Sequence, residues 1–337
     1  MSNQHANRSS FVSLAETYRG MFDIGAAINA STLESSKGLL QTHYNSITAE
    51  NDMKFERIHP EPGVYTFEIA DRIAQFASDN GMKMRGHTLV WHNQTPAWVF
   101  KGADGNPVSR EELLQTMKEH IDTVAGRYKG RVYCWDVVNE VIEDKADVWL
   151  RQSPWLDNIG EDFIGKAFEF AHAADPSAQL FYNDYNECQP EKRDKIMRLL
   201  KGLLDKGVPV HGMGLQAHWN LAGPSLEEIR QAIESYASLG LRLHITELDI
   251  SVFGFDDKRT DLTEPTSEMM ELQAERYDNV FALFREYRDV IDSVTFWGAA
   301  DDYTWLHDFP VRGRRNWPLV FDRSHQPKAS FHRITQL

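Results

Sequence analysis

The chain alternates between two kinds of segment, and that alternation limits its fold more than any other feature. Short apolar runs at 23–29, 46–52, 83–91, 132–140, 179–186, 212–219, 242–250 and 293–302 read as strands. Longer amphipathic stretches near 31–42, 69–80, 110–128, 161–174, 190–206, 226–239 and 268–288 read as helices, with a short one after 328. Strands separated by helices need crossover connections, so the sheet is expected to be parallel. Eight such units predict a (β/α)8 barrel, with residues 1–337 forming one domain and 1–18 an N-terminal extension packed on or near the barrel. An open doubly wound sheet is the structural alternative, but no GxGxxG or phosphate-binding loop follows the first strand.

Local chemistry supports the helix boundaries. Ser109-Arg110-Glu111-Glu112 and Ser225-Leu226-Glu227-Glu228 have capping-box spacing. Pro190 suits a first helical turn. Gly81, Gly130, Gly207 and Gly240 follow last turns, where a left-handed residue is needed.

Composition narrows the function. Of 337 residues, 42% are hydrophobic and 26% charged, with a formal net charge of −14. That balance argues against phosphate-rich partners, so no nucleic acid and no anionic membrane surface is expected; a neutral substrate fits better. Two cysteines, Cys134 and Cys188, lack any metal-ligand spacing, and Cys134 reads as a reduced thiol in a core strand. The polar stretch from Met1 to Gly20 lacks a signal-peptide pattern, so the chain as given reads as cytoplasmic. No cofactor is expected. The oligomeric state stays open, with a homodimer compatible with the sequence.

Polar and aromatic residues gather at the C-terminal ends of the expected strands. They are Glu50, Asn51 and Lys54; His87, Trp91 and His92; Asn139 and Glu140; Asn183, Asp184, Tyr185 and Asn186; Gln216, His218 and Trp219; Glu247 and Asp249; and Trp297, Asp301 and Trp305. In a barrel this is the active-site face. Carboxylates and amides suit sugar hydroxyls, and flat indoles suit the C–H faces of pyranose rings. Trp135 and His244 lie mid-strand and read as structural. The histidines lack HExxH-type spacing, so hydrogen bonding is preferred to metal binding. Glu140 and Glu247 end two separate strand segments, the arrangement that hydrolysis of a glycosidic bond requires.

Three segments resemble the signatures of glycoside hydrolase family 10, the endo-1,4-β-xylanases: Gly86-His87-Thr88-Leu89-Val90-Trp91-His92, Trp135-Asp136-Val137-Val138-Asn139-Glu140 and Ile245-Thr246-Glu247-Leu248-Asp249. Thr48-Ala49-Glu50-Asn51, Asn183-Asp184-Tyr185-Asn186, Gln216-Ala217-His218 and Thr295-Phe296-Trp297-Gly298 extend the likeness over roughly residues 20–335. The resemblance implies a retaining xylanase of the intracellular bacterial type, acting on xylan or imported xylo-oligosaccharides. It implies Glu140 as general acid/base and Glu247 as nucleophile, with Asn139 on the sugar 2-hydroxyl and His218 and Asp249 orienting Glu247. Glu50, Asn51, Lys54, His87, Trp91 and Gln216 would line the glycone side, Trp297 and Trp305 would flank the reacting sugar, and Tyr185 would face the leaving group. Ser330-Phe331-His332 departs from the family's usual aromatic ending, which bears on local packing only. A β-glycanase for glucose-based chains and a non-catalytic saccharide-binding barrel are the alternatives.

Overall fold

A computed structural model describes residues 12–337. Every strand in it is parallel to its neighbours. The strands are β1 (Asp23–Ile28), β2 (Ser46–Ala49), β3 (Lys83–Trp91), β4 (Cys134–Asn139), β5 (Gln179–Asp184), β6 (Gly212–Leu215), β7 (His218–Asn220), β8 (Arg242–Ser251) and β9 (Ile291–Phe296). They pair in sequence from β1 to β6, β6 pairs with β8, β8 with β9, and β9 returns to β1. This closes an eight-stranded barrel with β7 as an outer extension beside β8. Closure leaves no unpaired edge, and the right-handed crossovers place all strand C-termini at one end.

Two expected elements differ in detail. The sixth strand, expected over 212–219, is interrupted after Leu215 because Ala217 is left-handed, with φ of 61°. An extended ladder cannot run through that conformation. The helix expected near 31–42 is two, Ala30–Ser35 and Lys37–His43, separated by Ser36 at φ −102° and ψ 10°. The capping boxes at Ser109 and Ser225 are both formed. Gly81, Gly130, Gly207 and Gly240 all have positive φ.

The N-terminal helix Leu14–Thr17 buries Leu14, and the neighbouring Tyr18 stacks on Phe22 with ring centroids 4.8 Å apart. The Tyr18 hydroxyl donates to the Ile334 carbonyl, so this segment packs against the last helix, Ala329–Ile334. Residues 1–11 of the expected extension lie outside the described residues. At the departure from the family ending, Phe331 is buried and packs 5.1 Å from the Phe321 ring.

The barrel interior is partly ionic. Arg85 is almost fully buried and donates through Nε to Asp136 at 3.1 Å, while its guanidinium lies 4.8 Å from the Phe181 ring. His244 meets the same guanidinium, and burial together with that charge holds its pKa well below the usual imidazole range. A buried charge needs partners of this kind. Trp135 is fully buried beside Gly86, where a Cβ would lie 2.2 Å from its ring. Burial pushes the Cys134 thiol up to about 11, as expected for an inert core cysteine.

Gly214 links the fold to the site: a Cβ there would lie 2.2 Å from Asn183 Oδ1 and 2.9 Å from the Thr246 methyl. Gly214→Ala is therefore expected to destabilise by about 1–3 kcal/mol and to displace Asn183. Gly38 sits in a helix with open space around its Cβ position, so Gly38→Ala is expected to stabilise by up to about 1 kcal/mol. Urea unfolding of the two variants checks this; equal effects would show that close packing at Gly214 is not limiting.

Candidate active site

The parallel barrel brings Glu140, just past β4, and Glu247, in β8, to the same mouth. Their peptide groups are stitched to the strands between them. Glu140 N–H donates to the Asn183 carbonyl and Glu247 N–H to the Gln216 carbonyl, both at 2.9 Å. The side chains of the same two amides hold the carboxylates. Gln216 donates to Glu140 Oε1 at 2.9 Å, and Asn183 donates to Glu247 Oε1 at 2.9 Å. Asn183 Nδ2 also reaches Asn139 Oδ1 at 2.9 Å, while its own oxygen accepts from Thr246 at 2.7 Å. Asn139 Oδ1 receives a further bond from Gln216 at 3.3 Å.

The two carboxyls sit in opposite electrostatic surroundings. Burial raises the pKa of Glu140, and the negative charges of Asp184 and Glu247 add to it; hydrogen bonds from Gln216 and from Trp91 Nε1, the latter at 2.9 Å, only partly oppose this. Burial acts in the same direction on Glu247, but the hydrogen bond from His218 and the field of His87 and His218 outweigh it and hold Glu247 below the usual carboxylate range. His218 bridges two carboxylates, with Nε2 3.1 Å from Glu247 and Nδ1 3.0 Å from Asp249. Burial disfavours its charge, but Asp249 and Glu247 raise its pKa to about 10, so it is an imidazolium at neutral pH and donates to both. Trp305 Nε1 completes the chain with a 2.8 Å bond to Asp249.

The remaining expected residues group around this centre. Lys54 is buried and donates to Asn51 at 3.0 Å and to Gln94 at 2.9 Å, with Nζ 4.8 Å from the Trp91 ring centre. Burial lowers its pKa, while Glu247, Glu50 and Glu140 pull it back up. Glu50 accepts from Asn29 at 2.8 Å. His87 bonds Asp136 at 2.9 Å and meets the Trp297 ring edge-on at 5.4 Å. Trp297 is buried, and Trp305 is half-buried and stacks on exposed Phe309 with ring centroids 4.8 Å apart. The Tyr185 hydroxyl donates to Asp144 at 2.6 Å and accepts from Arg151 at 2.6 Å.

The model of the family described as "Glycosyl hydrolase family 10" matches residues 13–337. The chain belongs to that family. It is 61% identical over 322 residues to endo-1,4-beta-xylanase B of Paenibacillus barcinonensis, covering 96% of this chain and 97% of that one. It is 60% identical to an endo-1,4-beta-xylanase of Geobacillus stearothermophilus, covering 98% of this chain and 99% of that one. Among solved structures, the P. barcinonensis xylanase XynB complexed with a conduramine derivative superposes with a TM-score of 0.96, at 60% identity over 97% of this chain and 99% of that one. The endo-1,4-beta-xylanase of Caldicellulosiruptor owensensis gives 0.94 at 55% identity, covering 96% and 99%. This member of the family is a glycoside hydrolase built as a (β/α)8 barrel.

Asn183 reads in the sequence only as one more polar residue on the active-site face, yet it is the hub that joins Asn139, Glu247 and Thr246. Gln94 and Arg151 were not anticipated. Gln94 has the signal of a polar residue soon after a strand end; Arg151 lies eleven residues past Glu140 and has no local signal.

Loss of the His218 cation is expected to raise the pKa of Glu247. If Glu247 acts as a nucleophile it must be ionised, and then the acid limb of the kcat/KM profile of His218→Asn should move to higher pH, with kcat/KM at neutral pH falling about 10–100-fold. A pH-rate series checks this, and an unmoved acid limb would break the link between His218 and Glu247.

Proposed function

We propose that the chain is a retaining endo-1,4-β-xylanase in which Glu140 is the general acid/base and Glu247 the nucleophile. The observation that carries this reading is the opposite electrostatic setting of two carboxyls on one barrel mouth, one with its pKa raised by burial and neighbouring carboxylates and one with its pKa lowered by His218 and His87. Two titratable groups driven apart in this way mark acid and nucleophile roles. Retention needs the two about 5–5.5 Å apart, so that the same pair serves both displacements.

In the first step Glu247 attacks the anomeric carbon while Glu140 gives its proton to the departing oxygen. The glycosyl ester removes the negative charge of Glu247, one of the factors that keeps the proton on Glu140. Glu140 then takes a proton from a water that attacks the anomeric carbon, breaking its bond to the Glu247 oxygen and regenerating the carboxylate. Asn139 has its oxygen engaged by Asn183 and Gln216, so its amide nitrogen is the group available to the sugar 2-hydroxyl. That contact should strengthen as the ring becomes oxocarbenium-like. His218 and Asp249 orient Glu247. Glu50, Asn51, Lys54, His87, Trp91 and Gln216 form the glycone side, Trp297 and Trp305 flank the reacting sugar, and Tyr185 faces the leaving group.

The substrate is β-1,4-xylan or its oligosaccharides, the activity carried by the names of relatives near 60% identity. We assign short xylo-oligosaccharides inside the cell as the natural substrate. The supporting feature is that Cys134 and Cys188 are free and buried, as suits a reducing compartment.

Glu247→Ala is expected to cut turnover of xylotetraose by roughly 10⁴-fold or more. Glu140→Ala should retain the first step on dinitrophenyl β-xylobioside and, with azide, release a β-glycosyl azide. NMR of early wild-type products should show the β-anomer. An α-anomer first product, or faster hydrolysis of cello- than xylo-oligosaccharides, would overturn the mechanism or the substrate assignment respectively.

A further inference from the structure

We infer that Arg151 is a positioning residue that holds the proton-donating Glu140 and the leaving-group-side Tyr185 as one unit. The inference rests on the assignment of Glu140 as acid/base. The segment after β4 returns on itself as a short antiparallel hairpin. Arg151 N–H donates to the Val141 carbonyl at 2.7 Å, Glu143 N–H to the Trp149 carbonyl at 3.0 Å, and Ile142 bridges to Leu150. This register returns Arg151 to Glu140 across eleven positions of sequence.

The side chain then uses its fork. Nε donates to the Glu140 carbonyl at 3.0 Å, and Nη2 donates to the Tyr185 hydroxyl at 2.6 Å and to the Ile142 carbonyl at 3.4 Å. Asp144, 3.6 Å away, pairs with the same guanidinium and also accepts from Tyr185 and from buried Lys192. Lysine offers a point charge rather than a planar fork and cannot reproduce these directions together.

Glu140 needs such a clamp. Its backbone is left-handed, with φ of 59°, a conformation that costs a non-glycine residue on the order of 1–3 kcal/mol and persists only where the surroundings impose it. Its carboxyl is held by Trp91 and Gln216 and its N–H by the Asn183 carbonyl. Arg151 holds the one remaining polar group, the carbonyl. The hairpin that delivers Arg151 is itself pinned to the helix Pro190–Asp205, which follows β5. Lys195 donates to the carbonyls of Glu143 at 2.9 Å and Val148 at 2.7 Å, and Arg198 lies 3.8 Å from the Trp149 ring centre.

A clamp on the acid matters in proportion to the leaving group's need for a proton, whereas a residue that only supports the hairpin would affect all substrates alike. The test is kcat/KM for wild type, Arg151→Met and Arg151→Lys on aryl β-xylobiosides from dinitrophenyl to phenyl, with pH profiles and melting curves. Arg151→Met is expected to lose about 30-fold or more on the phenyl substrate and under about threefold on the dinitrophenyl one. Its alkaline limb should move to higher pH, because removing a cation disfavours ionised Glu140. Arg151→Lys should show the same selectivity at smaller amplitude and keep the alkaline limb near wild type, which tests the inference even if the Met variant does not fold. Equal losses on both substrates, with an unmoved limb, would overturn it. A wild type inactive on every xyloside would instead overturn the reading of the site.

Discussion

A column of buried charged and polar groups runs from the barrel interior to its mouth, and the rest of the site is arranged around it. Arg85 pairs with Asp136, Asp136 with His87, and beyond them His218 stands between Glu247 and Asp249. Most of these groups are almost fully excluded from water. An isolated charge at any of these places would cost several kcal/mol, so each charged group needs a partner beside it. That constraint accounts for the uneven fate of the two glutamates. Glu247 lies within the column and is held ionised by His218; Glu140 lies outside it and meets indole and amide donors and other carboxylates instead. The arrangement converts an unfavourable burial into a division of chemical labour.

The barrel makes this column feasible because strands deliver side chains at fixed spacing while loops need not. Asn183, Gln216 and Glu247 take both backbone and side-chain positions from β5, β8 and the segment between β6 and β7. Room for the side chains comes from glycine: at Gly214 a methyl group would collide with Asn183, and at Gly212 it would lie 2.2 Å from Phe181. Where strands end, the backbone departs from regular geometry. Glu140, Asn186 and Ala217 are left-handed non-glycine residues at φ of 59°, 53° and 61°, each at the C-terminal end of a barrel strand. Strain of this kind is kept where neighbouring bonds over-determine it. At Glu140 those bonds are visible on every polar group of the residue.

Much of this was legible in the amino-acid sequence because it is local. Apolar runs, capping serines and post-helical glycines act within a few residues, and the helices that begin after Ser109 and Ser225 start as read. The clustering of polar residues at strand ends also survives translation into three dimensions, since a parallel barrel sends all those ends to one face. The parts that were not legible depend on non-local register. Nothing near Arg151 indicates that a hairpin returns it to Glu140. The break at Ala217 is hidden because alanine is not a residue expected at positive φ. Asn183 reads as one polar residue among four, and its role as hub depends on which neighbours the strand order supplies.

The same contrast separates specificity from chemistry. Glu140 and Glu247 are fixed by strand geometry, but the residues proposed to face the leaving group and to flank the reacting sugar come from loops: Trp305, stacked on Phe309, from the segment after β9, and Tyr185, bonded to Asp144, from the segment after β5. Each loop is tied back to the column or to Glu140 by a polar bond, Trp305 through Asp249 and Tyr185 through Arg151. Loop changes that preserve those two ties would alter which chains are accepted while leaving proton transfer intact. Changes that break them would disturb both together, because the tie shares its partner with Glu140 or with the His218 that holds Glu247. Asp249 is held in common by Trp305 and His218, and Arg151 by Tyr185 and the Glu140 carbonyl. Variation in this fold is therefore least costly at loop positions one step removed from those shared partners.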